Sequence, residues 1–213
     1  MIKKPIAIIP ARIGSKRLKF KNIIQFDNKP LISWTLKAAV ESKIFSKIYV
    51  STDSILIKKK IKPYKKKVNF LFRPKKFSGD KTKTSTLLKY LIKKNLLHKK
   101  FNDFILLQPT SPLRTKKNIQ DMWNIYQKNK LKNLVSVSFK KNDNIVKKKN
   151  INLYKNKKKI FKLNNQKIFL NGSVYINNIK EFLKNPDFLL KKNNFFLMDK
   201  NSSLDIDYHK DLY

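Results

Sequence analysis

The chain has 213 residues, 41% of them hydrophobic, which is enough for one substantial core and short for two full domains. It has no cysteine, which excludes disulfides, thiolate metal sites and a cysteine nucleophile. Lys plus Arg number 51 against 13 Asp plus Glu, for a formal net charge of +38, but only Arg12, Arg17, Arg73 and Arg114 are arginines and lysines run along nearly the whole length, so the charge reads as compositional bias on solvated faces rather than a nucleic-acid surface.

In chain order, Pro5–Pro10 (PIAIIP) is a short apolar run ending in proline, a buried strand, and Ala11–Phe26 is a basic loop containing Gly14. Leu31–Val40 packs as a helix, Lys47–Ser51 is a second strand, and Ser54–Ile61 is a short helix stopped near Pro63. Val68–Phe72 is a third strand, followed by a helix over Thr84–Lys94 with Leu87, Leu88 and Leu91 on one side. Asp103–Leu107 is a strongly apolar strand running into Gln108–Arg114. Thr115 can cap a helix carrying Ile119, Met122, Trp123 and Tyr126, and Leu134–Ser138 is a further strand. Residues 139–168 are rich in Lys and Asn and read as a small lobe of hairpins projecting from the sheet, a candidate dimerisation element, with a disordered segment as the alternative because the charge runs would repel one another. Then come a strand at Ser173–Asn177, a helix around Ile179–Leu183 and a strand near Phe195–Met198.

This alternation predicts a single α/β domain over residues 1–213: a mostly parallel sheet, Rossmann-like, with helices on both faces and a small inserted lobe. Ligands of such sheets bind at the carboxyl ends of the strands, where Ala11–Lys21, Ser51–Asp53 and Gln108–Arg114 all fall. No apolar stretch approaches the roughly 20 residues of a membrane span, and Pro5, Pro10 and Arg12 interrupt any secretory signal, so a soluble cytoplasmic protein is expected.

Two constellations carry chemistry. The first is Ala11–Asn22 (ARIGSKRLKFKN), a loop after a buried strand whose backbone amides, with Gly14, can approach a phosphate. Arg12, Lys16, Arg17 and Lys21 there can neutralise a triphosphate, although neither the Walker pattern nor G-x-G-x-x-G is present. The second is Leu204–Asp207 (LDID), with Asp53 as a candidate third carboxylate. Alternate residues of an extended segment point the same way, so Asp205 and Asp207 can share a magnesium ion. The same pattern also suits a helix N-cap, with Asp207 preceding Tyr208–Leu212. Trp34 and Trp123 read as helix-packing residues, and His98 and His209 as surface residues.

These segments resemble the acylneuraminate (CMP-sialic acid) cytidylyltransferases. The similarity runs from Ile6–Arg17 and Lys21–Asn22 through Lys29–Ile32, Val50–Asp53, Arg73–Pro74, Leu106–Arg114 and Asn171–Tyr175 to Leu204–Asp207, in the family's order and spacing. It implies a nucleotide-diphospho-sugar transferase fold, a homodimer, Mg²⁺ as cofactor, and transfer of CMP from CTP to the anomeric hydroxyl of a nine-carbon sugar acid with release of pyrophosphate. By the same resemblance Arg12, Gly14, Ser15, Lys16, Lys21 and Asn22 would hold the phosphates, and Arg73, Asp80 and the Gly79–Thr84 loop the cytosine and ribose. Gln108 and Asn171 would face the sugar acid, Asp205 and Asp207 would carry magnesium, and Lys21, Arg12 and Asp207 would act in the transfer. The chain departs from the family at Phe169, where many relatives carry an Arg suited to the sugar carboxylate, at a short 139–168 lobe, and at Lys81 and Lys83. A synthetase for an eight-carbon acid of the 3-deoxy-manno-octulosonate type is the alternative within this chemistry, though Lys21–Asn22 fits the sialate branch better. A basic nucleic-acid-binding protein is the alternative outside it; no specific nucleic-acid or membrane partner is expected.

Overall fold

The computed structural model describes residues 3–139, 151–155, 158–160, 167–190 and 193–213. Eleven strands and six helices follow one another as β1 (Ile6–Pro10), β2 (Gln25–Phe26), β3 (Lys29–Pro30), α1 (Leu31–Ser42), β4 (Lys47–Thr52), α2 (Ile55–Lys60), β5 (Asn69–Phe72), α3 (Thr84–Lys94), α4 (Leu97–Lys100), β6 (Asp103–Leu107), α5 (Lys116–Lys128), β7 (Asn133–Ser138), β8 (Ile151–Lys155), β9 (Lys158–Ile160), β10 (Phe169–Asn178), α6 (Ile179–Lys184) and β11 (Asn193–Leu197). Nine strands form the main sheet in the order β5-β4-β1-β6-β10-β7-β11-β8-β9, while β2 and β3 make a separate small hairpin. The pairings from β5 through β6 are parallel, as are β7–β11 and β11–β8; β10 runs antiparallel between β6 and β7.

Each strand sends alternate side chains to opposite faces, and in β1 this is visible residue by residue. Ala7 and Ile9 join a core with Leu36 of α1, Ile57 of α2 and Ile119 of α5. Ile6 and Ile8 join another with Leu87 and Leu91 of α3 and Phe182 of α6. The sheet is therefore buried on both sides, which explains why β1 and β6 read as continuous apolar runs. A third, small cluster of Leu18, Leu31 and Ile206 sits apart from these two.

Local sequence accounts for the element ends. Ser54 accepts the amides of Leu56 and Ile57 at the start of α2, and Thr115 with Asn118 forms a capping box on α5. Trp123 is buried and stacks on Tyr126, while Trp34 packs edge-on to Phe26. Of the segment expected as a projecting lobe, residues 140–150, 156–157 and 161–166 lie outside the described residues. Its β8–β9 hairpin continues the main sheet by parallel pairing of β8 with β11. Among the described residues no helix is long and apolar enough to cross a membrane.

The chain goes from β1 to β4 and β5 on one side and then crosses to β6 on the other, so the order reverses between β1 and β6. The crevice at the carboxyl ends of these two strands is where such a sheet leaves room for a ligand. The loops after β1 and β6 both open there.

Candidate functional site

A cleft of about 1050 Å³ occupies that crevice. One wall is the loop after β1, another the loop after β5, and the floor is the Gln108–Thr110 turn after β6. The remaining wall combines the start of β10 with the segment from Ser203 to Asp211.

The loop after β1 is tied in place at its base. The Ile13 amide donates to Asp53 Oδ1 at 3.0 Å, and Asn22 Nδ2 donates to the Arg12 carbonyl at 2.7 Å. Arg12 reaches across to the loop after β5, donating to the Ser78 carbonyl at 2.9 Å and to Asp80 Oδ1 at 2.5 Å, with Lys16 at 3.4 Å from the same carboxylate. These cations, Arg12 before Lys16, hold the Asp80 carboxyl below its ordinary range. Arg73 lies buried beneath that loop and donates to the Phe77 carbonyl from Nε and from a terminal nitrogen. Burial pulls its pKa down to about 10, against the opposing pull of Asp53.

Across the cleft, Lys21 Nζ meets Asp207 Oδ1 at 2.5 Å and Arg17 meets Asp207 Oδ2 at 3.0 Å. The two partners of the Lys21 contact are 186 residues apart in sequence. The Asp207 segment is pinned by the Ile206 amide, which donates to the Thr110 carbonyl at 2.8 Å. Asp211 Oδ2 accepts the amides of Asp207 and Tyr208. Asp207 is thus not the cap of the final turn: its carboxylate faces the cations, and Asp211 takes the local backbone amides.

Asp205 stands beside this pair under different conditions. Burial raises its pKa to about 6, the Thr110 hydroxyl donating to it and Lys21 acting in the opposite direction, with Asp207 adding to the rise. Its Oδ1 is buried with no hydrogen-bond partner. Behind it Gly172, at φ +71°, would bring a Cβ to 3.6 Å from Asp205 Oδ2, so this is the one glycine whose backbone demands the residue. Two neighbouring carboxylates, one with an unused oxygen, fit magnesium, which takes one or two carboxylates and completes its shell with water and substrate phosphate. Among the described residues no larger group of His, Cys, Asp or Glu is arranged to hold an ion, and Asp53 stays away from the pair, spent on the Ile13 amide.

The structure brings Arg12, Ser15, Lys16, Lys21, Asn22, Arg73, Asp80, Gln108, Asp205 and Asp207 to the one cleft. Two expected site residues do not line it. Gly14 is exposed, and a Cβ there would meet nothing within 4 Å, so the fold itself does not require glycine at this position. Asn171 is buried behind the wall: its Oδ1 accepts from the Ser136 hydroxyl and the Ser173 amide, and its Nδ2 donates to the Ser203 hydroxyl. Its hydrogen bonds brace β7, β10 and the Ser203 segment. Sequence reasoning passed over Tyr208 and Lys210 as lining residues and Asp211 as a backbone anchor. The basic, polar composition around them gives no periodic signal, and only their spacing after Asp207 could have drawn attention.

Arg114 is fully buried and meets no carboxylate among the described residues. It donates to the Ser173 carbonyl at 2.8 Å, the Gln108 carbonyl at 3.2 Å and the Thr35 hydroxyl at 2.6 Å, and burial pulls its pKa down to about 9. It fixes the Gln108 turn to β10 and α1 from below.

A family model described as Cytidylyltransferase matches residues 6–212. The chain is 33% identical over 215 residues to an N-acylneuraminate cytidylyltransferase of Escherichia coli O18:K1:H7, covering 98% of this chain and 50% of that protein. It is 33% identical over 214 residues to a CMP-N,N'-diacetyllegionaminic acid synthase of Legionella pneumophila, covering 95% of this chain and 90% of that one. It thus spans about half the length of the Escherichia coli relative and nearly all of the Legionella one. Among solved structures, a CMP:2-keto-3-deoxy-manno-octonic acid synthetase complexed with CTP superposes with a TM-score of 0.63 at 15% identity, over 86% of this chain and 77% of that one. At that identity the likeness is one of fold.

Proposed function

The chain belongs to the cytidylyltransferase family, and from that premise we propose that it transfers CMP from CTP to the anomeric hydroxyl of a nine-carbon, sialic-type sugar acid, releasing pyrophosphate. The observation that carries this reading is the meeting of Lys21 and Arg17 with Asp207, next to Asp205, at the carboxyl ends of β1 and β6. Relatives named for N-acylneuraminate and for N,N'-diacetyllegionaminic acid support the acceptor class.

In this reading Arg12, Ser15, Lys16, Lys21 and Asn22 receive the triphosphate, and Arg73 with the Gly79–Thr84 loop the nucleoside. Gln108 faces the acceptor. The anomeric oxygen bonds to the α-phosphorus as the bond to the pyrophosphate oxygen breaks, and the hydroxyl proton passes to solvent water. Catalysis of such a transfer is mostly positioning and charge neutralisation. Lys21, already aimed by Asp207, meets the charge on the α-phosphoryl oxygens without reorganising, and Arg12 does so further along the chain of phosphates. Asp205 and Asp207 would hold Mg²⁺, which, when bound, neutralises phosphate charge and polarises the phosphoryl oxygens. A homodimer and a cytoplasmic location, where CTP is at hand, belong to the same proposal.

The test is pyrophosphate release from CTP and magnesium with a panel of eight- and nine-carbon sugar acids. Turnover with a nine-carbon acid is expected. Turnover confined to eight-carbon acids moves the acceptor to the octulosonate class. No release with any acid, together with duplex binding that persists at physiological salt, replaces the reading with a nucleic-acid one.

A further inference from the structure

The acceptor of this reaction carries a carboxylate beside its reacting carbon, and it enters a cleft that also holds a triphosphate. That carboxylate needs a cation not already committed to phosphate. Position 169 does not provide one: Phe169 is buried in β10, and it is the neighbouring Leu170 that lines the cleft. Beyond the residues assigned to the nucleotide, the cations lining the cleft among the described residues are Arg17 and Lys210.

Both sit on one ring. Arg17 Cζ lies 5.3 Å from the centroid of Tyr208 and Lys210 Nζ 5.6 Å. Arg17 is also engaged with Asp207, whereas Lys210 meets no carboxylate among the described residues. The backbone that carries the ring is fixed, since Asp211 accepts the Asp207 and Tyr208 amides at 2.9 and 2.8 Å, and Tyr208 is 44% exposed. An aromatic face beside Asp207, carrying a cation with no carboxylate partner, offers what a sugar acid requires: a surface for the apolar side of the ring and a charge for the carboxylate.

Resting on the function proposed above, we propose that Lys210, seated on Tyr208, is the residue that binds the acceptor's carboxylate, with Tyr208 as the platform beneath the sugar. The experiment is steady-state pyrophosphate release by the full chain and by Lys210→Met, Lys210→Arg and Tyr208→Leu. The probes are N-acetylneuraminic acid, N,N'-diacetyllegionaminic acid and their methyl esters, with CTP and magnesium. In Lys210→Met the KM for the acid rises by about tenfold or more while the KM for CTP stays within about twofold. The wild-type preference for acid over ester collapses in that variant and returns in Lys210→Arg. Tyr208→Leu raises the KM for acid and ester alike. An unchanged acid KM in Lys210→Met, or an equal rise for CTP, overturns this assignment and leaves the proposed function standing. Absence of release by the wild type with these acids and with every other nine-carbon acid of the panel overturns both.

Discussion

Asp80 and Asp207 each gather two cations at the cleft, with contacts of 2.5 and 3.4 Å at one and 2.5 and 3.0 Å at the other, but they rest on different foundations. Asp80 sits on a turn between β5 and α3, and its partner Lys16 leaves 86% of its side chain in solvent. Asp207 follows a fully buried isoleucine, its own amide is held by Asp211, and Lys21 exposes only 13% of its side chain. Exposed pairs are screened and contribute little, whereas a half-buried pair on a fixed backbone holds its geometry before a ligand arrives. The first is a seam between two loops; the second is a preorganised site.

The sharpest way to break this comparison is Asp207→Ala. It should lower kcat for pyrophosphate release by about 10³-fold or more, because Lys21 and Arg17 lose the group that aims them, with circular dichroism unchanged. Asp205→Asn should also abolish turnover yet stabilise the ligand-free chain by about 1–3 kcal/mol at pH 7, read from urea denaturation. The sign follows from a folded-state pKa raised to about 6: the carboxylate opposes folding above that pH, and the opposition fades as the pH falls toward 4. The gain over wild type should shrink across the same window. Gly172→Ala should destabilise by about 1–2 kcal/mol, since an L side chain at φ +71° is strained whatever space it finds. Asp80→Asn should be the mildest, leaving the melting temperature unchanged at both 50 and about 500 mM salt. A large shift there would make the two carboxylates equivalent and dissolve the distinction.

The parallel half of the sheet was legible because its residues obey one rule each. Thr84–Lys94 and Asp103–Leu107 were expected as the structure has them, and Thr115 caps α5. β10 starts at Phe169, four residues before the expected Ser173, because a register shift between Leu170 and Tyr175, with Gly172 inside it, interrupts the alternation without ending the pairing to β7. The mixed half hides its core in asparagines. Asn133, Asn193 and Asn194 are buried in strands, where Asn133 donates to Asn193 and Asn194 to Asn133, and composition alone reads such residues as loop. At the cleft, the basic loop was visible as a cluster, but no spacing rule brings Lys21 to Asp207; the resemblance supplied that meeting. Asp53 and Asn171 carry the residue types of a site, yet their hydrogen bonds go to the scaffold, a difference that depends on which amides and hydroxyls lie nearby.

The small cluster of Leu18, Leu31 and Ile206 belongs to neither face of the sheet. Leu18 belongs to the cationic loop, Leu31 opens α1, and Ile206 separates the two aspartates, so one hydrophobic plug sets the gap between opposite charges. Damage to that plug need not register in a global melt, because the two large cores would still unfold together. A screen for stable variants would pass such a lesion as healthy, and only turnover would reveal it.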